Sequence, residues 1–317
     1  MKILVTGGCG YVGSLLVPTL LDTLDCEVVV YDTQWFGKNL SEHHNLTVIK
    51  GDIRSIPQDV FSGVNKVIHL ANIANDPAVE LDPTLSWEVN VLASYRMIES
   101  SVKAGVADFL FASSGSVYGV KEEPNVTEDL DLVPISVYNK TKMIAERVLY
   151  SYRDKMRVIC VRPATVCGLA ERLRLDVSVN MLTYQALKNE VITVFGGQQV
   201  RPNIHIKDLV AVYSHILQNS EIESGFYNAG FENLSIKTIA KKVAELTGAQ
   251  IKITKSNDPR SYRQDSTKLL DTGFTPKFGV NDAINELVAK YQRGDLIEKD
   301  TYYTVKTMKS LIKLGKL

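Results

Sequence analysis

Residues 4–13, which read LVTGGCGYVG, decide the fold that we predict for this chain. A short apolar run leads directly into a cluster of glycines, which indicates a strand that turns sharply into a helix. The glycines are spaced as Gly7-x-x-Gly10-x-x-Gly13, and the narrower pattern from Gly8 to Gly13 also fits. Residues without side chains let the backbone approach a pyrophosphate at the positive end of the following helix.

We expect this turn to bind a dinucleotide, because it follows a strand and opens an amphipathic helix. Asp32 ends the second predicted strand, 19 residues beyond Gly13. A carboxylate there accepts hydrogen bonds from ribose hydroxyls and repels a 2′-phosphate, so the cofactor is predicted to be NAD rather than NADP. A tight turn without a ligand and an ordinary strand-end aspartate are the structural alternatives. The predicted contacts in this part of the site are Gly7, Gly10, Tyr11, Val12, Gly13 and Asp32.

Strands alternate with helical patterns through the first half of the chain, which is typical of a doubly wound parallel sheet. The predicted strands are Lys2–Thr6, Glu27–Tyr31, Leu46–Lys50, Lys66–Leu70, Asp108–Ala112 and Arg157–Arg162. Beyond about Gly168, short strands at Ile192–Val194 and Ile251–Thr254 separate predicted helices at Ser178–Asn189, Asp208–Asn219, Ile236–Thr247 and Asn281–Tyr291. The sequence therefore predicts an α/β fold with a Rossmann-type domain in residues 1–168. A smaller C-terminal α/β substrate-binding lobe would occupy residues 169–317, with some segments returning to the first domain.

Composition argues against several kinds of partner. The 317 residues include 36 lysines and arginines and 36 aspartates and glutamates, so we expect no basic face for nucleic acid. No apolar stretch approaches the roughly 20 residues that span a membrane. The cysteines lack Cys-x-x-Cys spacing and histidine neighbours, which predicts reduced thiols and no metal site: Cys9, Cys26, Cys160 and Cys167. No leader segment is evident after Met1, so a cytoplasmic protein is expected.

Tyr138 and Lys142 form the pattern Tyr-x-x-x-Lys at the start of a predicted helix, Val137–Tyr150. Residues four apart share one helix face, and an adjacent ammonium favours the phenolate, which makes tyrosine a more useful base. The pair follows the fifth strand, after which serines stand at positions 113, 114 and 116. Open α/β sheets bind ligands at this carboxyl edge. We predict that Ser114, Tyr138 and Lys142 are catalytic; helix packing and turn formation are the alternatives.

Taken together, these motifs resemble the extended short-chain dehydrogenase/reductase family, in its nucleotide-sugar epimerase and dehydratase branch. The resemblance covers nearly the whole chain and includes Gly51-Asp52-Ile53, His69-Leu70-Ala71, Asn90, Ser114, Tyr138, Lys142 and Arg162-Pro163. It implies that Tyr138 takes a sugar hydroxyl proton while hydride passes to NAD. Lys142 would bind the nicotinamide ribose and lower the pKa of Tyr138, and Ser114 would hold the reacting oxygen. The further cofactor contacts expected are Asp52, Ile53, Leu70, Ala71, Asn72, Asn90, Tyr138, Lys142 and Pro163.

The same resemblance implies that the second half binds a nucleoside diphosphate sugar. Asn180 is similar to an asparagine that contacts the diphosphate, and Arg201 and Arg260 offer guanidinium groups suited to bidentate phosphate binding. Surface or interlobe ion pairs are the alternative for these two arginines. Arg172 and Arg174 either reach the diphosphate or solvate a loop. The predicted substrate contacts are completed by Asn75, Ser114, Ser116 and Tyr138.

Two positions beside Ser114 narrow the expected reaction. In the family that the chain resembles, the 4,6-dehydratases carry an acidic pair where this chain has Gly115 and Ser116. Members that epimerise C3 or C5 carry a cysteine in place of Ser116. The resemblance therefore favours redox at C4, by an NAD-dependent epimerase or by a dehydrogenase or reductase that stops after one hydride step. A non-catalytic NAD-binding protein is the alternative from another class.

A homodimer is expected, because members of this family commonly pair the helices that correspond to Asn90–Lys103 and the Tyr138 region. The apolar residues of the first of these helices fit such a contact, but they fit packing against the sheet equally well. The residues in question are Val91, Met97, Ile98 and Val102.

Overall fold

A parallel sheet of seven strands organises the computed structural model, which describes residues 1–255 and 261–317. From one edge to the other its strands are Gly225–Ala229 (β10), Arg157–Pro163 (β6), Asp108–Ala112 (β5), Lys66–His69 (β4), Lys2–Thr6 (β1), Glu27–Asp32 (β2) and Leu46–Lys50 (β3). Each neighbouring pair is parallel. The chain proceeds outward from β1 in one direction to β3 and then in the other through β4, so a crevice opens beside β1 at the carboxyl edge.

Helices cover both faces of this sheet and recur through the second half of the chain. They are Gly13–Thr23 (α1), Asp76–Val79 (α2), Pro83–Trp87 (α3), Ser94–Lys103 (α4), Val137–Tyr150 (α5), Ser178–Asn189 (α6), Ile206–Gln218 (α7), Ile236–Thr247 (α8), Thr267–Leu270 (α9), Val280–Gln292 (α10) and Thr304–Lys313 (α11). A π-helical segment, Glu88–Ala93, joins α3 to α4. Short 3₁₀ turns lie at Ile53–Ser55, Gln58–Phe61, Gly115–Tyr118 and Asp300–Tyr302.

The remaining strands form two small sheets. Thr165–Cys167 (β7), Val200–His205 (β9) and Glu232–Ser235 (β11) make a sheet in the order β11-β9-β7, with β11 antiparallel to β9. Val191–Phe195 (β8) pairs in parallel with Gln250–Thr254 (β12). A separate apolar cluster packs β8 against α6, α8 and α10, with Ile192, Val243 and Ile284 fully buried. The second half of the chain therefore has a core of its own.

Alternation along the central strands sends apolar side chains to both faces of the large sheet. Ile3 and Val5 pack with α1 and α7 on one face, whereas Leu4 packs with α4 and α5 on the other. Two-sided burial is the reason that these strands read as nearly continuous apolar runs. Because β10 and α7 come from beyond residue 200, the second half of the chain returns to complete this layer.

The predicted α/β fold with a doubly wound parallel sheet is confirmed. The predicted strands of the large sheet lie within one residue of their observed bounds, and α5 has the bounds predicted from its sequence. The strands β7, β9, β10 and β11 were not predicted. Met97 and Ile98 were expected either to form a dimer contact or to pack against the sheet. Both are fully buried against the sheet. The cysteines are buried and free.

No helix within residues 1–255 and 261–317 combines the length and apolar character that crossing a membrane requires. In the same ranges, no three or more histidine, cysteine, aspartate or glutamate side chains are grouped in a way that could hold a metal ion.

A buried ion pair joins α5 to β6 beneath the sheet edge. Arg162 Nε and Nη2 donate to the two carboxylate oxygens of Glu146, each at 2.9 Å, and both side chains are at most 1% exposed. Arg162 Nη1 also donates to Tyr118 Oη at 2.7 Å, and Tyr118 donates to Asn228 Oδ1 at 2.8 Å. The pair therefore ties the helix that carries Tyr138 to the last strands of the sheet.

Replacing Glu146 with glutamine should destabilise the protein by about 3 kcal/mol, because it leaves the Arg162 guanidinium buried without a counter-charge. Urea unfolding followed by circular dichroism measures this loss. Glu245→Gln removes the same charge from an exposed position of α8 and should change the free energy of unfolding by less than about 0.5 kcal/mol. Equal stability of the two variants would contradict the role given to this ion pair.

Candidate active site

A cavity of about 510 Å³ opens at the carboxyl edge of the large sheet, beside β1. Its wall includes the predicted cofactor residues Gly7, Gly10, Tyr11, Val12, Gly13, Asp32, Asp52, Ile53, Leu70, Ala71, Asn72, Tyr138, Lys142 and Pro163. The predicted substrate residues Asn75, Ser114, Ser116 and Arg201 line it as well. Asn90 and Asn180 are not part of this wall, and Arg260 lies outside the described residues.

The glycine turn brings β1 into direct contact with the end of β4. Gly7 has φ 72°, and a Cβ atom on it would lie 2.6 Å from the backbone nitrogen of Ala71. A Cβ on Gly13 would lie 2.5 Å from the Cα of Gly8. Val12, which precedes α1, provides no side-chain cap for its amino-terminal end. The turn therefore leaves backbone amides and the positive end of a helix facing the cavity, as a pyrophosphate requires.

Asp32 is fixed at the end of β2 by the backbone around it. One carboxylate oxygen accepts a hydrogen bond from Cys9 N at 3.0 Å, and the other accepts one from Gln34 N at 2.6 Å. Burial raises the pKa of Asp32 above its usual range, and these two hydrogen bonds oppose the rise. The carboxylate thus links the glycine turn to the loop after β2, and its contact with ribose hydroxyls stays a prediction.

Tyr138 lies in the first turn of α5, whose amino-terminal end is capped by Ser136 through a 3.2 Å hydrogen bond from Asn139 N. Burial raises the pKa of Tyr138 to about 12, and a hydrogen bond with Ser114 and the charge of Arg174 partly offset this rise. Ser114 Oγ is also 2.8 Å from Ser116 Oγ. Two serine hydroxyls and the phenol therefore form one polar cluster on the cavity wall.

Lys142 is only 1% exposed and lies one helical turn beyond Tyr138. Its Nζ donates to the carbonyl oxygen of Ala112 at 2.6 Å and stands 4.7 Å from the centre of the Phe111 ring. Burial lowers the pKa of Lys142 to about 7, whereas Glu146 raises it. An amine with a pKa near 7 is only partly protonated at neutral pH, so Lys142 is a weak electrostatic partner for Tyr138. The groups that lower the pKa of Tyr138 are instead Ser114 and Arg174.

Asn90 holds the loop after β4 from beneath the cavity. Asn90 lies in the π-helical segment, and its Oδ1 accepts a hydrogen bond from Ile73 N at 2.8 Å. Its Nδ2 donates to Ile73 O at 3.2 Å and to Thr141 Oγ1 at 3.1 Å. The side chain is 1% exposed. These contacts give Asn90 a positioning role for a loop that lines the cavity, and its direct contact with a cofactor stays a prediction.

Asn180 occupies a comparable position under the loop that follows β7. Its Oδ1 accepts from Gly168 N at 2.9 Å, and its Nδ2 donates to Gly168 O at 3.1 Å and to Arg174 O at 2.9 Å. Nδ2 also donates to Tyr11 Oη at 3.2 Å. The amide is fully buried and fixes the loop to the glycine turn. Its direct contact with a substrate diphosphate stays a prediction.

The loop at residues 72–76 is strained where it meets the cavity. Asn75 has φ 74° and ψ 155°, a backbone conformation that side chains rarely adopt, and its Oδ1 accepts from Ala78 N at 2.9 Å. Asp76 accepts a hydrogen bond from Ser136, at the cap of α5. Strain of this kind is typical of functional loops, which supports the prediction that Asn75 contacts the substrate.

Several cavity residues were not among the predicted site residues. Phe36 follows Asp32 in the loop after β2, Tyr213 lies on α7, and Thr304 and Met308 come from α11 near the end of the chain. Thr304 and Met308 are four residues apart on one helix face, which is the only local signal they carry. Their place in the site depends on how the last helix folds back over the first domain.

The residues present fit a dinucleotide. The glycine turn provides a cradle that a Cβ atom would fill, and Asp32 lies beside it at the end of β2. Buried polar atoms without a hydrogen-bond partner in the described part of the chain also adjoin this cavity, among them Asn72 Oδ1, Ser113 Oγ and Arg172 Nε. Fold and site together define a dinucleotide-binding protein with a Tyr-x-x-x-Lys pair, which is the short-chain dehydrogenase/reductase type.

Comparison with known proteins narrows this class. The family described as NAD dependent epimerase/dehydratase matches residues 3–230, and the chain belongs to that family. The UDP-glucose 4-epimerase of Corynebacterium glutamicum is 27% identical over 87% of this chain and 91% of the relative. UDP-glucuronic acid decarboxylase 1 of Danio rerio is 27% identical over 99% of this chain and 78% of the relative. The resemblance inferred from the motifs is thereby confirmed.

A solved structure shows the same fold with its ligands bound. It is UDP-glucuronic acid 4-epimerase from Bacillus cereus in complex with UDP-glucuronic acid and NAD, which superimposes with a TM-score of 0.84 at 25% identity. The match covers 92% of this chain and 99% of the other. NAD as the cofactor is consistent with this match and with the family to which the chain belongs.

The buried lysine should make stability depend on pH. The unfolded chain keeps the Lys142 proton up to about its usual pKa of 10.5, whereas the folded chain loses it near pH 7. Between these values the unfolded state binds more protons, so this lysine makes stability rise with pH. In urea unfolding at a series of pH values, Lys142→Met should lack this rise.

The matched control is Lys140→Met, because Lys140 is exposed on the same helix. Its stability should follow that of the wild type at every pH. A Lys142→Met protein whose pH dependence matches the wild type would show that Lys142 keeps an ordinary pKa in the folded chain.

Proposed function

We propose that this protein is an NAD-dependent nucleotide-sugar epimerase that oxidises and re-reduces C4 of its sugar. The observation that carries the proposal is the convergence of Ser114, Tyr138 and Lys142 on one cavity with the glycine turn. Bound NAD supplies the acceptor for the hydride and, in the second half of the cycle, its donor. The similar proteins from Corynebacterium glutamicum and Bacillus cereus are a UDP-glucose 4-epimerase and a UDP-glucuronic acid 4-epimerase, which supports this reaction.

Tyr138 is the proposed acid and base at the sugar hydroxyl. Its phenolate takes the proton of the C4 hydroxyl as the hydrogen on that carbon leaves as hydride, which turns the alcohol into a ketone. Ser114 orients the reacting oxygen through its hydroxyl, which already shares a hydrogen bond with Tyr138. For inversion the keto sugar must turn over in the cavity, so that the hydride would return to its opposite face while Tyr138 gives back the proton.

Lys142 is proposed to hold the ribose next to the nicotinamide. Its Nζ lies at the end of β5, next to the helix α5 that carries Tyr138, and donates to Ala112 O. A ribose hydroxyl in reach of this ammonium would favour the charged form, because hydrogen bonding to the charged group stabilises it. The lysine would then also lower the pKa of Tyr138, as the family resemblance implies.

The environment of Ser114 favours redox at one carbon over elimination. Gly115 and Ser116 follow it in a 3₁₀ turn, and neither provides a carboxylate for removing a proton at C5. A Cβ on Gly115 would lie 3.0 Å from Gln264 Oε1, so a larger side chain would require a shift there. The proposed substrate is a nucleoside diphosphate hexose, with Arg201 on the cavity wall at the diphosphate and Asn75 near the sugar.

We also propose a homodimer. Leu92 and Tyr95 lie on the helix of the expected contact and are 51% and 44% exposed, which leaves apolar surface for a partner copy. Light scattering at micromolar concentration should give twice the mass of the chain, and Leu92→Glu should give the monomer because it places a charge in the contact. A wild-type monomer would contradict this proposal.

The buried, free cysteines suit a reducing compartment, and we propose the cytoplasm.

The reaction is tested by incubating the protein with UDP-, GDP-, CDP- and dTDP-hexoses while NADH absorbance and product stereochemistry are followed. We expect one of these sugars to be converted to its C4 epimer without net NADH. Net NADH would instead show a dehydrogenase. Tyr138→Phe should lower turnover by at least about a hundredfold, because it removes the proton-transfer group, and should keep its NAD.

The control is Tyr150→Phe, which removes a phenol hydroxyl from the same helix but outside the cavity wall. Its turnover should match that of the wild type. Full activity in Tyr138→Phe would exclude this tyrosine as the base, and turnover of no sugar by the wild type would reject the proposed function.

A further inference from the structure

The last helix of the chain crosses from the second half of the protein to the nucleotide-binding domain. α11 packs against α2, and Met308 is 2% exposed in the same apolar cluster as Ile73 and Val79. Thr304 and Met308 share one face of α11, and both line the cavity. Ile312, one turn further on, is 42% exposed. A helix from the end of the chain therefore forms part of the cavity wall.

Three hydrogen bonds attach the start of α11 to the loop that follows β7. Leu175 N donates to Tyr302 O at 3.0 Å, and Thr304 N donates to Asp176 Oδ2 at 2.9 Å. Arg172 Nη2 donates to Thr304 Oγ1 at 3.1 Å. The helix is thus fixed at one end by this loop and along its length by apolar packing on α2.

Arg172 connects this attachment to the glycine turn. Its backbone nitrogen donates to Ser14 Oγ, in the first turn of α1, at 3.2 Å. Its guanidinium carbon lies 4.1 Å from the centre of the Phe36 ring, in the loop that begins at Asp32. These contacts place Arg172 on the side of the cavity where the glycine turn and Asp32 lie.

The guanidinium of Arg172 is a buried cation with an unused donor. The residue is 3% exposed, and burial lowers its pKa to about 9, so it is still protonated at neutral pH. Its Nε has no hydrogen-bond partner within residues 1–255 and 261–317. A buried charge with an unsatisfied N–H is costly unless an anion binds it, and a phosphate suits the fork of an arginine.

We propose that Arg172 binds the diphosphate of the NAD cofactor and that α11 holds Arg172 in place, which keeps the cofactor in its site between the two hydride transfers. The inference rests on the proposed function, because an epimerase returns its hydride to the same sugar and gains nothing from releasing NADH. A dehydrogenase must exchange its cofactor in every turnover. Retention of NAD by Arg172 and α11 therefore suits an epimerase better than a dehydrogenase.

The test measures cofactor retention and two separate affinities. Arg172→Gln removes the charge, and Thr304→Val removes the oxygen that accepts from Arg172 while keeping the shape of the side chain. Each purified variant is dialysed, its NAD content is measured after acid release, and its Kd values for NAD and for UDP are determined. Ile312→Ala is the control, because it shortens an exposed side chain of the same helix.

Arg172→Gln should weaken NAD binding by about tenfold or more, since a charge-assisted contact is lost, and should leave the Kd for UDP within about twofold. Thr304→Val should release NAD faster than the wild type, with a smaller loss of affinity. Ile312→Ala should retain NAD as the wild type does. Because Thr304→Val preserves the buried charge, it decides the question if Arg172→Gln does not fold.

Unchanged NAD retention in both variants would overturn the proposal. Weaker UDP binding with intact NAD binding in Arg172→Gln would overturn it too, since the arginine would then serve the substrate diphosphate. Loss of NAD in the variants, combined with a wild type that epimerises no sugar, would support this role of Arg172 and reject the proposed reaction.

Discussion

The contact between the glycine turn and the end of β4 is the constraint on which the whole site depends. With φ 72° at Gly7 and only 2.6 Å between its Cβ position and Ala71 N, any side chain there would force two neighbouring strands apart. The contact sets the amino-terminal end of α1 against the loop after β4, and Asp32 is fixed beside it by Cys9 N. The ends of three adjacent strands, β2, β1 and β4, thereby line one crevice. The dinucleotide site follows from this arrangement of backbone more than from any side chain.

Buried charges lie next to the part of the cavity wall that Tyr138 and Lys142 form. Lys142, Glu146 and Arg162 are each at most 1% exposed, and they form a row of alternating sign from the cavity inward. Glu146 is paired by Arg162 on one side and raises the pKa of Lys142 on the other. In the chain alone the pKa of Tyr138 is about 12, so its phenol is neutral at neutral pH. The proposed role of Tyr138 as a base therefore calls for a positive charge beside its phenol when ligands are bound.

Local patterns in the sequence were sufficient for the parts of the site that a single segment builds. The glycine turn, the end of β2 at Asp32 and the helix with Tyr138 and Lys142 each depend on residues a few positions apart, and each lies where the pattern placed it. The roles of Asn90 and Asn180 could not be found this way. Their amides bind backbone of distant segments, so their positions under the cavity depend on tertiary packing.

The place of α11 in the cavity wall could not be predicted from the sequence for the same reason. Thr304 and Met308 are ordinary residues of an amphipathic helix, and long-range contacts with Arg172, with Asp176 and with the cluster around Ile73 bring them to the cavity. The sheet β11-β9-β7 was missed because β7 and β11 are short, and because β9 and β11 carry polar residues such as Asn203 and Asn233. Patterns of apolar residues predict the strands and helices of a buried layer well. The positions of segments such as α11 beside a site depend on long-range contacts.

Hydride transfer at C4 is followed most directly with a deuterium label on C4 of the nucleotide sugar that the protein converts. Transfer of hydride to a retained cofactor and back predicts that the epimerised product keeps its deuterium at C4 and that deuterium slows the reaction. Product with deuterium lost to solvent, or epimerised at any other carbon, would contradict the account.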